Sequence, residues 1–244
     1  MIKPIKELGQ NFLRNHEAIS KIVSLLNIAE NDNIIEIGPG EGVLTYEILK
    51  SPKNFKLTSI DVDDRVAEIL AKIEDPRFKF KLANILKESE IFKQDNYKIL
   101  GAIPYNITSP IFHLIVEQDN LPSKVVLVIQ KEVAEKISDP KKESYLSNYL
   151  KYFFDLKYEF TISRNDFYPA PKVDSAVVTF IKKENVSEID KKKFSNFLHK
   201  TFRSPRKKIN KVFSKEVLQT CSIDENLRPE NLSQAEIIKL YQME

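Results

Sequence analysis

The chain has 244 residues, a formal net charge of +3 at pH 7 and 42% hydrophobic residues, which suits one large domain, or a large domain with a small appendage. Its single cysteine, Cys221, excludes an intramolecular disulfide framework, and its three scattered histidines lack the spacing of metal ligands. No apolar run approaches the roughly 18 residues of a membrane span, and the N-terminus lacks the apolar core of a signal peptide, so we expect a cytoplasmic protein without a metal site or a membrane partner.

Strand-like and helix-like runs alternate as far as residue 130, which is typical of a doubly wound α/β domain. In chain order, the pattern predicts strand 34–37, helix 43–50, strand 57–61, helix 63–74, strand 78–82, strand 97–103, helix 109–118 and strand 124–130. A short helical piece from Lys131 follows, and then two β-rich runs at 150–163 and 173–182 that we expect to form an antiparallel pair on the parallel sheet. Helical periodicity continues from the polar segment 185–190 to the C-terminus, so we place a domain boundary after residue 184.

A glycine-rich turn joins the first of these strands to the first helix. Gly38, Gly40 and Gly42 let the backbone turn sharply and approach a ligand closely. About twenty residues later the next strand ends in Asp61, a carboxylate suited to ribose hydroxyls. A tight turn without a ligand is the alternative, because glycine-rich turns are common. The position of Asp61 favours a nucleotide-type site.

The residues within and just before this glycine-rich turn argue against a pyrophosphate ligand. Pro39 and the acidic Glu36 and Glu41 stand where a pyrophosphate would require N–H donors and a positive dipole. An uncharged or cationic ligand fits better. S-adenosylmethionine, a nucleoside that carries a sulfonium and no phosphate, meets this requirement.

Further candidate residues follow later strands, where ligands of a doubly wound sheet gather. Asn84 ends the third strand, and the segment Gly101-Ala102-Ile103-Pro104-Tyr105-Asn106 ends the fourth. Pro104 has no N–H and holds Ile103 extended, so a loop carbonyl can point into a cleft beside the Tyr105 ring. A carbonyl beside an aromatic plate suits the exocyclic amine of a flipped-out base. A turn that merely packs on the core is the alternative. A second proline-rich loop, at 166–176, offers another aromatic pair.

Positive charge is concentrated near the C-terminus. Nine lysines and arginines fall between residues 191 and 211 without an acidic residue among them, and they are interleaved with Phe194, Phe197 and Phe202. A solvated helix face usually mixes both signs, so this block predicts a phosphate-binding surface for nucleic acid, with a plain charged face as the alternative.

Taken together, these features resemble the KsgA-type ribosomal RNA adenine N6,N6-dimethyltransferases over nearly the whole chain. The matching motifs are Leu8-Gly9-Gln10-Asn11-Phe12-Leu13, Ile35-Glu36-Ile37-Gly38-Pro39-Gly40-Glu41-Gly42, Ile103-Pro104-Tyr105-Asn106-Ile107, Gln130-Lys131-Glu132-Val133-Ala134 and Pro169-Ala170-Pro171-Lys172-Val173-Asp174-Ser175-Ala176-Val177-Val178. The basic segment 202–208 looks like the family's C-terminal signature, with Ser204-Pro205 where another arrangement is commoner.

The resemblance implies a Rossmann-like class I methyltransferase with a seven-stranded, mostly parallel sheet in residues 1–184 and a small all-α, RNA-binding domain in residues 185–244. It implies that the S-adenosylmethionine site is formed by Asn11, Leu13, Gly38, Gly40, Asp61, Asn84 and Ala102. It implies that Tyr105 and Phe167 sandwich the target adenine beside Ala102, Ile103 and Pro104. It implies that the RNA contacts include Arg203, Arg206, Lys207 and Lys208. We expect a monomer that acts on ribosomal RNA in the immature small subunit.

Two residues of this implied site depart from the family pattern. Asn84 stands where the family usually carries Asp, and its side-chain oxygen can still accept from the cofactor's adenine amine, without charge assistance. Ala102 stands where the family carries an Asn that is thought to accept a hydrogen bond from the target amine. Losing one positioned hydrogen-bonding group commonly costs about 10²–10³ in rate.

Three functions remain open at this point. The leading one is dimethylation of N6 on each of two adjacent adenines in small-subunit (16S) ribosomal RNA. A catalytically weakened RNA-binding assembly factor is the second, supported by Ala102. A large-subunit ribosomal RNA methyltransferase is the third, and the motifs at 130–134 and 173–176 favour the small-subunit enzymes over it.

Overall fold

The structure is a computed structural model that describes residues 2–5, 7–139, 143–184 and 186–244. Its strands are β1 (Phe12–Leu13), β2 (Asn33–Ile37), β3 (Lys56–Asp61), β4 (Phe78–Leu82), β5 (Tyr97–Ala102), β6 (Lys124–Gln130), β7 (Phe154–Ile162), β8 (Phe167–Tyr168) and β9 (Ser175–Lys182). Its α-helices are α1 (His16–Leu25), α2 (Val43–Leu49), α3 (Asp64–Leu70), α4 (Thr108–Glu117), α5 (Lys131–Ser138), α6 (Tyr145–Phe153), α7 (Lys191–Phe202), α8 (Lys215–Thr220) and α9 (Gln234–Tyr241).

Seven of the strands form one sheet in the order β4-β3-β2-β5-β6-β9-β7. The first five of these run parallel, and β9 pairs antiparallel with β6 from Lys124↔Ile181 to Gln130↔Ser175. The remaining two strands, β1 and β8, pair with each other. This arrangement confirms the predicted Rossmann-like α/β class with a seven-stranded, mostly parallel sheet.

Local sequence explains why these elements form. The central strand β2 reads Asn-Ile-Ile-Glu-Ile and is buried from Ile34 to Ile37, as expected for a parallel strand covered on both faces. Helix α1 begins after Asn15, whose side chain accepts a hydrogen bond from the Ala18 N–H. Similarly, α3 begins after Asp63, whose carboxylate accepts from the Arg65 N–H.

The main difference from the predicted elements lies in the run 150–163. Its first residues are helical, because α6 continues to Phe153 and β7 begins only at Phe154. Helix α6 starts at a capping box formed by Ser144 and Ser147, and its buried Tyr149 and Phe153 are spaced four residues apart on one face. The aromatic residues that suggested a strand are therefore the packing face of a helix. Smaller differences are the ends of α3 at Leu70 and of β5 at Ala102, and the start of β9 at Ser175.

The chain packs as two compact units. The first comprises Met1–Ala134 and Lys157–Lys182, and the second comprises Glu135–Leu156 and Lys183–Glu244. The predicted boundary after residue 184 assigns 135–156 to the N-terminal domain, whereas these residues belong to the second unit. The physical reason is aromatic packing within that unit, where Tyr149 of α6 lies 6.3 Å from Phe194 of α7, measured between ring centroids.

The second unit is helical around an aromatic core. Phe194 and Phe197 of α7 both pack against Tyr241 of α9, at centroid distances of 5.2 and 5.4 Å. Helix α7 begins after Asp190, whose side chain accepts from the Lys193 N–H. Throughout the described ranges, the helices are too short or too polar to cross a bilayer.

Candidate active site

A cleft opens at the carboxyl ends of β2, β3 and β5 in the first unit. Strand β2 lies between β3 and β5, so the chain leaves it toward one neighbour and returns on the other side, and ligands of doubly wound sheets bind at such a switch point. The cleft holds about 1100 Å³ of empty space, including the part open to solvent. It brings together all the predicted cofactor and catalytic residues, namely Asn11, Leu13, Gly38, Gly40, Asp61, Asn84, Ala102, Ile103, Pro104, Tyr105 and Phe167.

The glycine turn of the cleft uses its N–H groups within the protein. The Gly38 N–H donates to the Ile60 carbonyl at 2.9 Å, and the Gly42 N–H donates to the Pro39 carbonyl at 2.9 Å. The Gly40 N–H donates to Asp61 Oδ2 at 3.4 Å. A phosphate-binding turn directs such donors at its ligand, whereas here each has an acceptor in the chain. The geometry thus supports a ligand without phosphate.

Close packing explains why glycine is required at Gly40. Its φ is +54°, and a Cβ built there would lie 3.0 Å from two ring atoms of Phe12. Phe12 belongs to β1, so the N-terminal segment packs directly against the turn. Any larger residue at Gly40 would therefore move either the turn or this segment.

Asp61 ends β3 at the edge of the cleft. Its Oδ1 accepts the Asp63 N–H at 3.0 Å, and Oδ2 accepts the Gly40 N–H. Burial raises the pKa of Asp61 above its ordinary value, and these backbone hydrogen bonds act in the opposite direction. Each carboxylate oxygen has a second lone pair, so the group can accept from a diol such as a ribose.

The two acidic residues of the turn are placed differently from each other. Glu36 does not line the cleft, so the expectation that it stands where a pyrophosphate would lie is wrong. Its side chain is buried in the core, where Oε2 accepts from the Thr45 hydroxyl at 2.6 Å and from the Ser59 hydroxyl. It is buried because β2 is covered on both faces, so side chains on either face of this strand lie in the core. Glu41 does line the cleft, and its Oε2 pairs with Arg14 Nη1 at 2.6 Å.

Asn84 lies two residues after β4, rather than at the end of the strand. Its Oδ1 accepts the Leu86 N–H at 3.0 Å and so caps a short 3₁₀ helix, Ile85–Lys87. This hydrogen bond fixes the carboxamide at the rim of the cleft and uses one of the two lone pairs of its oxygen. One acceptor position is left for a ligand.

Ala102 is the last residue of β5 and lies beside the glycine turn. Its carbonyl oxygen would be 3.5 Å from a Cβ built on Gly38. The methyl side chain lines the cleft but offers no polar atom. Ile103 and Pro104 then carry the chain into the 3₁₀ helix Tyr105–Ile107.

Two aromatic side chains face this cleft from different elements. The Tyr105 ring is half-buried, its hydroxyl is 2.7 Å from Ser175 Oγ, and burial raises the pKa of its phenol. Phe167 is buried in β8, where its backbone pairs with Leu13 of β1. The neighbouring Tyr168, the other aromatic residue of that loop, is exposed and does not line the cleft.

Sequence reasoning missed several side chains that hold this site together. Gln10 Nε2 donates to Asp63 Oδ2 at 2.6 Å, and Arg65 pairs with the same carboxylate at 2.5 Å. The Ile2 N–H donates to Glu41 Oε1 at 2.8 Å. These contacts fasten the N-terminal segment to the turn and to α3. The Asp63–Arg65 pair is local, but the contacts of Gln10 and of the Ile2 N–H join positions far apart in the chain, so no local pattern could have revealed those two.

The basic segment 191–211 lies in the second unit. Its cluster Arg203, Arg206, Lys207 and Lys208 is exposed, whereas the interleaved Phe194, Phe197 and Phe202 are buried. These rings belong to the packing face of α7, so the interleaving reflects helical periodicity and not an aromatic nucleic-acid surface. Among the described residues, no group of three His, Cys, Asp or Glu side chains could hold a metal ion.

Comparison with known proteins matches the chain to one family. The family model described as ribosomal RNA adenine dimethylase covers residues 2–243. The chain is 38% identical to the ribosomal RNA small subunit methyltransferase A of Sulfurihydrogenibium sp. strain YO3AOP1, covering 98% of this chain and 96% of that protein. It is 36% identical to the protein of the same name from Hydrogenobaculum sp. strain Y04AAS1, covering 99% and 93% of the two chains.

Solved structures share the fold. A dimethyladenosine transferase from Plasmodium falciparum is 24% identical with a TM-score of 0.84, covering 94% of this chain and 95% of that one. The 23S rRNA methyltransferase ErmE is 22% identical with a TM-score of 0.77, covering 95% and 98%. With the family model spanning nearly every residue, the chain belongs to the ribosomal RNA adenine dimethylase family, whose members are methyltransferases.

Proposed function

We propose that this enzyme transfers methyl groups from S-adenosylmethionine to N6 of two adjacent adenines in 16S ribosomal RNA of the small subunit. Relatives at 36–38% identity over nearly the full length carry the name of small-subunit methyltransferase A. The observation that carries the proposal is the cleft itself, which gathers a glycine turn, Asp61, Tyr105 and Phe167 at one end of the sheet.

The residues of the cleft fit S-adenosylmethionine. The glycine N–H groups have acceptors within the protein, which suits a ligand without phosphate, and the Asp61 carboxylate can accept from both ribose hydroxyls. We assign the turn from Gly38 to Gly42 to the methionine part, with Asn11 and Leu13 beside it, and the free acceptor position of Asn84 to the adenine amine. When bound, the cofactor supplies an activated methyl group on a positively charged sulfur.

We assign the target adenine to the space between the two aromatic side chains of the cleft. Tyr105 and Phe167 provide faces on which a flipped-out base can stack, a contact worth about 1–3 kcal/mol per base. In this proposal the carbonyl of Ile103, the residue before Pro104, accepts from the N6 amine and so orients its nitrogen. Ala102 adds no second acceptor, so the carbonyl acts alone.

The second unit supplies the RNA contacts in this proposal. The exposed cluster Arg203, Arg206, Lys207 and Lys208 is suited to bind phosphates and to position the enzyme on the small subunit. The proposal also includes a monomer that acts in the cytoplasm on the immature subunit, and RNA binding by the second unit, to which the C-terminal helices belong.

One observation favours a second function. Ala102 removes a side-chain acceptor from the base site, so an RNA-binding assembly factor with weakened catalysis is the alternative. Transfer of a labelled methyl group from S-adenosylmethionine to unmethylated small subunits separates the two. The proposed function requires incorporation by the wild type, whereas binding to subunits without incorporation would support the assembly factor.

A further inference from the structure

The two aromatic side chains of the cleft are held by different means. Phe167 belongs to β8, where the pairing Leu13↔Phe167 fixes its backbone, and its ring is part of the hydrophobic core. Tyr105 lies outside the sheet, at the start of a single 3₁₀ turn. One side-chain hydrogen bond, between its hydroxyl and the Ser175 hydroxyl at an O–O distance of 2.7 Å, ties the far end of the ring to another element.

Ser175 is a rigid anchor for that hydroxyl. It is fully buried as the first residue of β9, and its backbone pairs with Gln130 of β6. The preceding residue, Asp174, is held by two hydrogen bonds, one to its backbone and one to its side chain. Its carbonyl accepts the Lys131 N–H at 3.0 Å, and its Oδ1 accepts the Arg164 N–H at 3.0 Å.

A base that stacks on Tyr105 takes its position from that ring. Rotation about the Cα–Cβ bond of Tyr105 swings the whole ring, and a hydrogen bond at the hydroxyl, at the far end of the side chain, restricts this rotation. Methyl transfer requires the amine nitrogen to be aligned with the methyl group, and small misplacements cost much of the rate. The position of the Tyr105 ring therefore affects the chemical step more than it affects RNA binding.

We propose that Ser175 is a positioning residue for methyl transfer, because its hydroxyl holds the far end of the Tyr105 side chain and so fixes the position of the ring on which the target adenine stacks. This inference rests on the proposed function. It assigns a role to a side chain that lines the cleft without being needed to contact the cofactor or the base.

The test is a double-mutant cycle on Ser175→Ala and Tyr105→Phe, which remove the same hydrogen bond from its two sides. Each variant should lower the single-turnover rate of methyl transfer on small subunits about five- to tenfold, as expected for one hydrogen bond that acts on the barrier. The double variant should be no slower than either single variant. The affinities for S-adenosylmethionine and for the subunits should stay within twofold of the wild type.

Thr179→Val is the matched control. Thr179 is a buried hydroxyl residue on the same strand, β9, but its Oγ1 donates to Glu159 Oε1 at 2.7 Å, and it does not line the described cleft. This variant should keep the wild-type rate. Three results would overturn the inference. These are an equal loss of methyl-transfer rate in Thr179→Val, additive losses of rate in the double variant, and a wild-type rate in Ser175→Ala. Failure of the proposed function differs from these results, because the wild type itself would then transfer no methyl group.

Discussion

Asp61 is the residue on which cofactor binding depends most directly in this account. Its carboxylate ends β3 and has accepting capacity beyond its hydrogen bonds to the Asp63 and Gly40 N–H groups. Asp61→Ala should weaken S-adenosylmethionine binding roughly 10- to 100-fold, the value of one or two charge-assisted hydrogen bonds. Isothermal titration calorimetry measures the affinity for S-adenosylmethionine.

Asp64→Ala is the control for Asp61→Ala. Asp64 is three residues away in the chain, is exposed and does not line the cleft, so its removal should leave the affinity unchanged. Equal affinities for the wild type and Asp61→Ala would remove Asp61 from the cofactor site.

We expect Ala102 to limit the rate of methyl transfer. The base site beside Ile103 and Tyr105 lacks one side-chain acceptor for the target amine, so base binding should suffer less than the chemical step. Ala102→Asn should raise the single-turnover rate about tenfold or more, since about 1.4 kcal/mol of transition-state stabilisation gives that factor. RNA affinity should barely change.

The outcome for Ala102→Asn also separates two accounts of the cleft. An unchanged but measurable rate would mean that the backbone carbonyl alone suffices. If both the wild type and the variant were inactive on immature subunits, the assembly-factor function would be favoured.

At the scale of elements, the buried Glu36 joins β2 to its neighbours. Its carboxylate accepts from Thr45 of α2 and Ser59 of β3, beneath the glycine turn. Burial raises the pKa of Glu36 to about 7, so the folded protein holds this proton more tightly than the unfolded chain does. The stabilisation by the protonated carboxyl is complete below about pH 4.5 and is lost as the pH rises through about 7.

Glu36→Gln should therefore flatten the pH dependence of the free energy of unfolding between pH 5 and 8, with a total difference of about 3 kcal/mol. Chemical denaturation at several pH values measures it. Glu47→Gln is the control, because Lys50 holds the pKa of that carboxyl below its ordinary value and its titration lies under this range. Parallel curves for the wild type and Glu36→Gln would show that Glu36 does not titrate there.

The basic segment is the second element-scale feature. Replacing Arg203, Arg206, Lys207 and Lys208 with neutral residues should reduce the slope of log affinity for small subunits against log salt by up to about 3, because fewer counterions are released from the RNA. Cofactor binding should not change.

A matched quadruple variant tests whether the position of the four positive charges matters as well as their number. Neutralising four exposed lysines of the first unit, namely Lys56, Lys72, Lys79 and Lys87, should leave the slope nearly unchanged. If the salt slope fell more in the variant of the first unit than in the variant of the basic cluster, the RNA surface would lie on the first unit.

The elements also show where sequence reasoning succeeds. The strand-turn-helix around Gly38 and the carboxylate of Asp61 are local patterns, and the structure brings them together with Tyr105 and Phe167 in one cleft. The start of β7 was not predictable from local patterns, because an aromatic run fits either a buried helix face or a strand. The Tyr105–Ser175 hydrogen bond spans 70 residues and depends on the tertiary fold alone.

At the scale of the whole molecule, we expect the two compact units to have different functions, cofactor binding in the first and RNA binding in the second. The first unit holds the cleft, with its glycine turn and aromatic pair, and the second holds the exposed basic cluster. Cofactor binding and RNA binding should therefore respond to separate sets of substitutions. Loss of both on changing either set would contradict this division.

Mass spectrometry of the small-subunit RNA, after incubation of unmethylated subunits with the enzyme and S-adenosylmethionine, tests the central claim most directly. We expect N6,N6-dimethyladenosine at two adjacent positions of the 16S RNA, and none without the cofactor. Tyr105→Ala should form it roughly 5- to 150-fold more slowly, because the base would lack one of its two stacking faces in the cleft. Subunits that bind the enzyme yet carry no added methyl groups, or methylation by Tyr105→Ala at the wild-type rate, would contradict the proposed function.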